Sequence, residues 1–261
     1  MKHFRLASLV IFAGCASPAY ADPYTRADGE GRIIVNAIFS GASKVFDDDG
    51  NTIDINDYKQ NSIYITGEYG VTDDITAVVA PSFRHIKQDG GESDTGLGYT
   101  DVGLKYRVAH GDDWTASVQG LVRIPGDKYA DPLAQVGQVG MEYDVKAGVG
   151  HSFGPEKKYF ATAEIGYRFR SDDPPNEYHA DFTVGGHVTD RVMLLAASYN
   201  TISDGRGSGI YDRKHRYHDL YLSGVYKVND QLSLQAGYTA TIGGRNALKQ
   251  SGPLIGLWYH F

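Results

Sequence analysis

Twelve runs of alternating apolar and polar residues, joined by connections that switch between short and long, constrain this chain more than any other feature. Successive side chains of a strand point to opposite faces, so alternation at period two marks a strand between two different environments. The runs fall at residues 31–41, 60–70, 74–86, 99–109, 113–124, 138–152, 159–170, 178–188, 191–201, 216–227, 231–242 and 253–261. In the sixth, Val139, Met141, Tyr143, Val145, Ala147 and Val149 oppose Glu142, Asp144, Lys146, Gly148 and Gly150. The ninth is ambiguous, because Val192 to Ala197 is apolar on both faces. Tight turns at 71–74, 110–113, 153–157, 189–190 and 229–230 are built largely from turn-forming residues. Longer segments at 42–59, 87–98, 125–137, 171–177, 202–215 and 243–252 lie between them.

A sandwich in water has no reason to alternate loop length in this way. A bacterial outer-membrane barrel does, with short periplasmic turns and long extracellular loops. The expectation is therefore an all-β chain: a closed antiparallel transmembrane β-barrel of 12 strands, both termini on the periplasmic side. Lipid cannot hydrate charge, so the apolar faces turn outward. Closure requires strand 31–41 to pair with 253–261.

Other features agree. No apolar run reaches the ~18 residues of a spanning helix, whereas a spanning strand needs only ~9–11. The chain has 19 Tyr and 32 Gly, and tyrosines collect at membrane interfaces. Lys2 and Arg5, the apolar run from Leu6 to Ala13 and the Ala19-Tyr20-Ala21 site read as a secretory signal peptide over 1–21. A lipoprotein signal ending at Cys15 is the alternative, with Phe12 poorly suited to the first lipobox position. Residues 22–261 then form one barrel domain. Cleavage after Ala21 removes the single cysteine and leaves 23 Lys and Arg against 32 Asp and Glu, a net charge of −9. That balance argues against nucleic-acid binding, and a mature chain with no thiol holds no Cys-based metal site or disulfide.

The last strand, Pro253 to Phe261, has a fully apolar face ending in two aromatics. Its Gly256, Tyr259 and Phe261 resemble the carboxy-terminal assembly signal that the barrel-assembly machinery reads in outer-membrane proteins. Leu254 stands where a polar residue is often found.

The inner faces receive Glu68, Arg84, Asp101, Lys105, Arg107, Arg123, Glu142, Asp144, Lys146, Glu164, Arg168, Asp181, Asp219 and Lys227. Two readings follow: paired charges that pack or narrow the barrel, or a charged wall that guides a polar solute. Twelve strands lie between the side-chain-filled eight and the open sixteen.

The sequence shows little chemistry. Residues 46–58 look like a calcium loop, but aligning Gly50 with the turn glycine puts Val45 and Asn56 at ligand positions, so this is not an EF-hand. His215 and His218 are three apart, on opposite faces of a strand, and no metal site or cofactor is expected. His151 and Ser152 are adjacent and oppose each other, and no Gly-x-Ser-x-Gly elbow occurs. Residues 204–216 form a glycine-rich basic loop, with Arg206, Arg213, Lys214 and Arg216 as candidate contacts to lipopolysaccharide phosphates or an anionic glycan.

The first third carries a more specific pattern: Gly29-Glu30-Gly31, Phe46-Asp47-x-Asp49-Gly50, Asp57-Tyr58-Lys59 and Glu68-Tyr69-Gly70-Val71-Thr72-Asp73. It resembles the XagA-like proteins, exported bacterial proteins of similar length. That resemblance implies a link to surface polysaccharide, biofilm or adhesion, with polysaccharide export partners, and no catalytic residues. The expected function is a non-enzymatic pore or transport component. A structural barrel whose loops bind glycan, lipopolysaccharide or a partner is the alternative, and a lipid-modifying barrel enzyme stands third.

Overall fold

The structure, a computed structural model, describes residues 22–91, 93–127 and 140–261. The expected signal segment 1–21, most of the segment 125–137 and Val139 lie outside the described residues. Twelve long strands make one antiparallel sheet. They are β1 Gly31–Phe46, β2 Thr52–Thr72, β3 Ile75–Gln88, β4 Ser93–His110, β5 Trp114–Ile124 and β6 Glu142–Phe153. β7 is Tyr159–Arg170, β8 Glu177–His187, β9 Val192–Ser203, β10 Arg216–Lys227, β11 Leu232–Arg245 and β12 Ser251–His260. Each pairs with its sequence neighbours, and β1 also pairs with β12, which closes the barrel.

The closing register runs from Arg32 opposite His260 to Ile38 opposite Leu254. At its end Gly31 and Phe261 exchange both backbone hydrogen bonds, at 2.7 and 3.0 Å. Closure is obligatory in lipid, where each unpaired backbone group costs on the order of several kcal/mol.

Faces follow the alternation. In β1, Arg32, Ile34, Asn36, Ile38 and Ser40 are buried inside, while Ile33 and Phe39 face out. In β9 the phase that the sequence left open is settled: Leu195, Ala197 and Tyr199 turn inward and Leu194 turns outward. Both faces are apolar because the interior has an apolar patch here, where Leu195 packs with Ile34, Val225 and Trp258.

The extracellular side departs from expectation. Most of segments 42–59 and 87–98 are strand, leaving connections of only 47–51 and 89–92. Segment 243–252 shrinks likewise to 246–250, where Ala247–Leu248 add a two-residue ladder against Val45 and Phe46. Above the membrane both faces of a strand meet water, so Thr52 to Asp57 show no period-two contrast to read. The 47–51 turn is held locally: the Asp47 carboxylate accepts from the amides of Asp49 and Asn51, and Gly50 supplies φ +86°. Helix among the described residues is limited to three-residue turns at Pro155–Lys157 and Gly209–Tyr211.

Leu222 faces lipid near the middle of β10. Leu222→Arg is expected to cost about 2–4 kcal/mol, the penalty for a cation near the bilayer midplane, in urea unfolding from lipid vesicles. Tyr259 and Phe261 face outward at the periplasmic end, their rings stacked 6.0 Å apart. Deleting Phe261 is expected to lower the yield of assembled barrel in cells, with a much smaller effect on the unfolding midpoint of barrels refolded in detergent. Equal losses in both would show that the residue acts on stability alone.

Candidate functional site

Among the described residues the interior holds two charged networks and two cavities. On the extracellular half, Arg123 pairs with Asp101 at 2.8 Å and Glu142 at 3.1 Å. Arg168 reaches Asp144 at 2.6 Å and Glu177 at 3.3 Å, and Arg170 joins Glu142 and Glu177, each at 3.0 Å. Tyr99 donates to Glu142 at 3.0 Å and stacks under the Arg123 guanidinium. His215 contacts Glu177 at 2.8 Å. The cross-strand register puts these groups side by side: Arg123 lies opposite Glu142, Glu142 opposite Arg170, and Asp144 opposite Arg168. A buried charge survives only when paired, and here carboxylates and guanidinium groups alternate across the wall.

On the periplasmic half the partners come from the amino-terminal segment 22–30. Asp22 enters the barrel, and its carboxylate accepts from Arg32 at 2.8 Å and Arg26 at 3.0 Å. Arg32 and Lys105 both pair with Glu68, at 2.7 and 3.0 Å, and Lys105 also donates to the carbonyls of Asp22 and Tyr24. Burial pushes the Asp22 carboxyl up, but Lys105, Arg32 and Arg26 outweigh it and hold it below the ordinary carboxylate range. Its contribution to docking is therefore complete above the ordinary value and is lost only as pH falls through the lowered one. Backbone anchors secure the rest: Arg26 donates to the Thr76 hydroxyl at 2.8 Å, and Gly29 and Gly70 are joined at 3.0 Å. Gly150 makes room for the segment, since a side-chain carbon there would meet the Tyr24 ring at 2.8 Å.

Between the two networks lies a cavity of about 50 Å³, bounded in part by Glu68, Asp101, Lys105, Lys146, Glu164 and Asp181. A larger one, of about 300 Å³, lies at the periplasmic end beside the amino-terminal segment.

Of the expected interior charges, Glu68, Asp101, Lys105, Arg123, Glu142, Asp144, Glu164, Asp181 and Asp219 are buried inside. Lys146 and Arg168 are nearly so, and Arg84 is half-buried against the Tyr64 ring. Lys227 is a correction: it stands exposed at a periplasmic turn, 2.7 Å from Asp230. Arg107 likewise sits at the rim on Asp74, at 2.7 Å. Both continue the inward phase of their strands but lie past the end of the lumen. Gly256 faces inward, where a side chain would collide with Asn36.

Arg32 and Glu177 are not among the expected interior charges, and His179 and His215 join them inside. The first was legible, since stepping back by two from Asn36 through Ile34 reaches Arg32. Glu177 was assigned to a loop, and His215 lies in one. That loop, 204–215, is anchored: Tyr211 and His215 are buried, and Ser208 bonds Asp173. Arg206 pairs weakly with Asp212 at 3.8 Å, while Arg213, Lys214 and Arg216 stand exposed. His215 turns inward and His218 outward, Ser152 inward and His151 outward, so neither pair forms a site together. Among the described residues no cluster of His, Cys, Asp and Glu has the makings of a metal site.

A family model described as "Putative MetA-pathway of phenol degradation" matches residues 36–253. The chain belongs to this family. No curated protein matches it. Among solved structures, an outer membrane channel from Pseudomonas putida F1 is similar at 13% identity and TM-score 0.77, covering 92% of this chain and 98% of that one. The NanC porin is similar at 10% identity and TM-score 0.54, covering 85% and 98%. The KdgM porin in complex with disordered oligogalacturonate is similar at 9% identity and TM-score 0.53, covering 88% and 99%. These likenesses establish the fold, a closed 12-strand barrel of the bacterial outer membrane. They are to channels and porins, and neither they nor the phenol-degradation family model name the XagA-like proteins or a surface polysaccharide.

In this family member Arg168 serves three carboxylates, Glu142, Asp144 and Glu177. Arg168→Met leaves them under-compensated and is expected to destabilise the barrel by about 3–5 kcal/mol. Adding Asp144→Asn is expected to recover part of that loss, which a double-mutant cycle in urea reads directly.

Proposed function

We propose that the protein is a non-enzymatic outer-membrane channel, constricted at mid-barrel, that passes small solutes of about one ring in size. The observation that supports this most is the interior itself, a charged wall around a mid-barrel cavity of about 50 Å³, with a wider one of about 300 Å³ at the periplasmic end. Such an interior suits a compact polar or aromatic solute, and this reading is small-molecule passage rather than polysaccharide export. The family description, with its reference to phenol degradation, supports small aromatic compounds as the solute class. The amino-terminal segment acts as the periplasmic constriction, since its ion pairs and backbone bonds fill one side of the mouth.

A second reading, contact of the extracellular face with lipopolysaccharide or an anionic glycan, is supported by exposed Arg213 and Lys214 on an anchored loop and Arg216 at the start of β10. It is compatible with the channel and carries what is left of the adhesion reading. Replacing the three with Ser is expected to abolish retention on an immobilised anionic glycan, and unchanged retention would remove this reading.

Planar-bilayer recording tests the channel. The full chain is expected to give small unit conductance, and removal of residues 22–26 to raise it several-fold. Silence of both forms at every voltage and salt concentration would overturn the proposal.

A further inference from the structure

The amino-terminal segment fills only part of the periplasmic mouth, and the space left over has a composition of its own. The cavity of about 300 Å³ runs between that segment and strands β7, β8, β9 and β12. This is the lower end of the size range for small-molecule sites, enough for one ring and a substituent. Its far wall is apolar: Phe160, Met193, Leu195 and Trp258. Leu195 and Trp258 belong to the one buried apolar cluster on this side of the lumen, with Phe160 and Met193 packed against it. A passage meant only for water and ions has no use for such a wall.

The near wall is polar and rich in cations. Arg26, Arg32, Lys157 and Lys158 line the cavity with the carboxylate of Asp22, and Glu68, behind the lining, also pairs with Arg26 and Arg32. The carboxylates that pair with Lys157 and Lys158, those of Asp113 and Glu156, stand out in solvent, where screening is strong. Three buried polar atoms on the cavity's lining residues have no hydrogen-bond partner in the protein: the Thr183 hydroxyl and the Nε atoms of Arg26 and Arg32. Thr183 is 3% exposed and Arg32 8%. Buried donors are normally satisfied, and unsatisfied ones on the residues around a cavity suit an acceptor delivered by a ligand. The Arg32 guanidinium also lies 5.7 Å from the centre of the Trp258 ring, so the cationic and aromatic sides meet at one corner.

We propose that this vestibule binds small monocyclic carboxylates. The ring packs against Phe160, Met193, Leu195 and Trp258, and the carboxylate is received by Arg32 and Thr183. Transport of such acids rests on the channel reading above; binding itself needs no open lumen, so the two can fail separately. The lipid-facing depression over β8 to β11 is lined almost entirely by apolar side chains and selects no chemistry.

The chain has two tryptophans, Trp114 and Trp258, and Trp114 faces outward at a periplasmic turn. In the Trp114→Phe protein, emission therefore reports on the vestibule. Titration with cyclohexanecarboxylate, which does not absorb in this range, is expected to give a saturable change. Acetate, which lacks the ring, and cyclohexylamine, which reverses the charge, are each expected to bind at least tenfold more weakly. Thr183→Val, nearly isosteric, and Leu195→Asn are expected to weaken binding several-fold while the barrel keeps its heat-resistant gel mobility. No saturable response, an equal response to cyclohexylamine, or unchanged affinity in both correctly folded variants would overturn the proposal. Conductance recorded on the same preparation separates the outcomes. Binding in a silent barrel sinks the channel alone, and conductance without binding sinks the vestibule alone.

Discussion

The backbone amide in hydrocarbon is the constraint from which the rest of this molecule follows. Without water to bond to, every N–H and C=O of a spanning strand must find another strand. That forces closure, and closure fixes which residues meet. Once Gly31 and Phe261 are joined, each inner position has assigned neighbours. The ion pairs inside are consequences of that register: Glu142 meets Arg123 on one side and Arg170 on the other because the ladder puts them there.

The interior imposes the opposite rule. Outside, charge is excluded; inside, charge is abundant and must be matched. The extracellular network is matched by strand residues, with His215 added from the 204–215 loop. The periplasmic one is completed by Asp22, which comes from outside the sheet and balances Arg26 and Arg32. The amino-terminal segment is thus a structural member of the lumen, held by the same electrostatic accounting as the wall. Where no charge is available, from Ile34 across to Leu195 and Trp258, the wall becomes apolar.

Legibility in the sequence tracked the contrast between environments. Where a strand separates lipid from charge, as in β6 and β7, the alternation disclosed both its presence and its faces. Where the contrast vanishes the reading failed in two ways. In β9 both faces are apolar, so the strand was visible and its phase was not. In Thr52 to Asp57 both sides are wet, so a strand read as a loop. The candidate interior was legible wherever charges fell inside recognised runs. Lys227 and Arg107 were misplaced because alternation fixes the direction of a side chain but not its height along the barrel. Asp22 was invisible for another reason: no local pattern tells a short terminal segment that it will be swallowed by the sheet it precedes.

The docked segment has a consequence for the order in which the molecule is made. Its contacts reach Thr76 on β3, Lys105 on β4 and Ser152 on β6, positions far along the chain. Those contacts do not exist until β3, β4 and β6 stand side by side, so residues 22–30 can settle only on a wall that is already half built. Obstruction of the periplasmic mouth is thus a late feature of the fold, added by a segment that precedes every strand in the sequence.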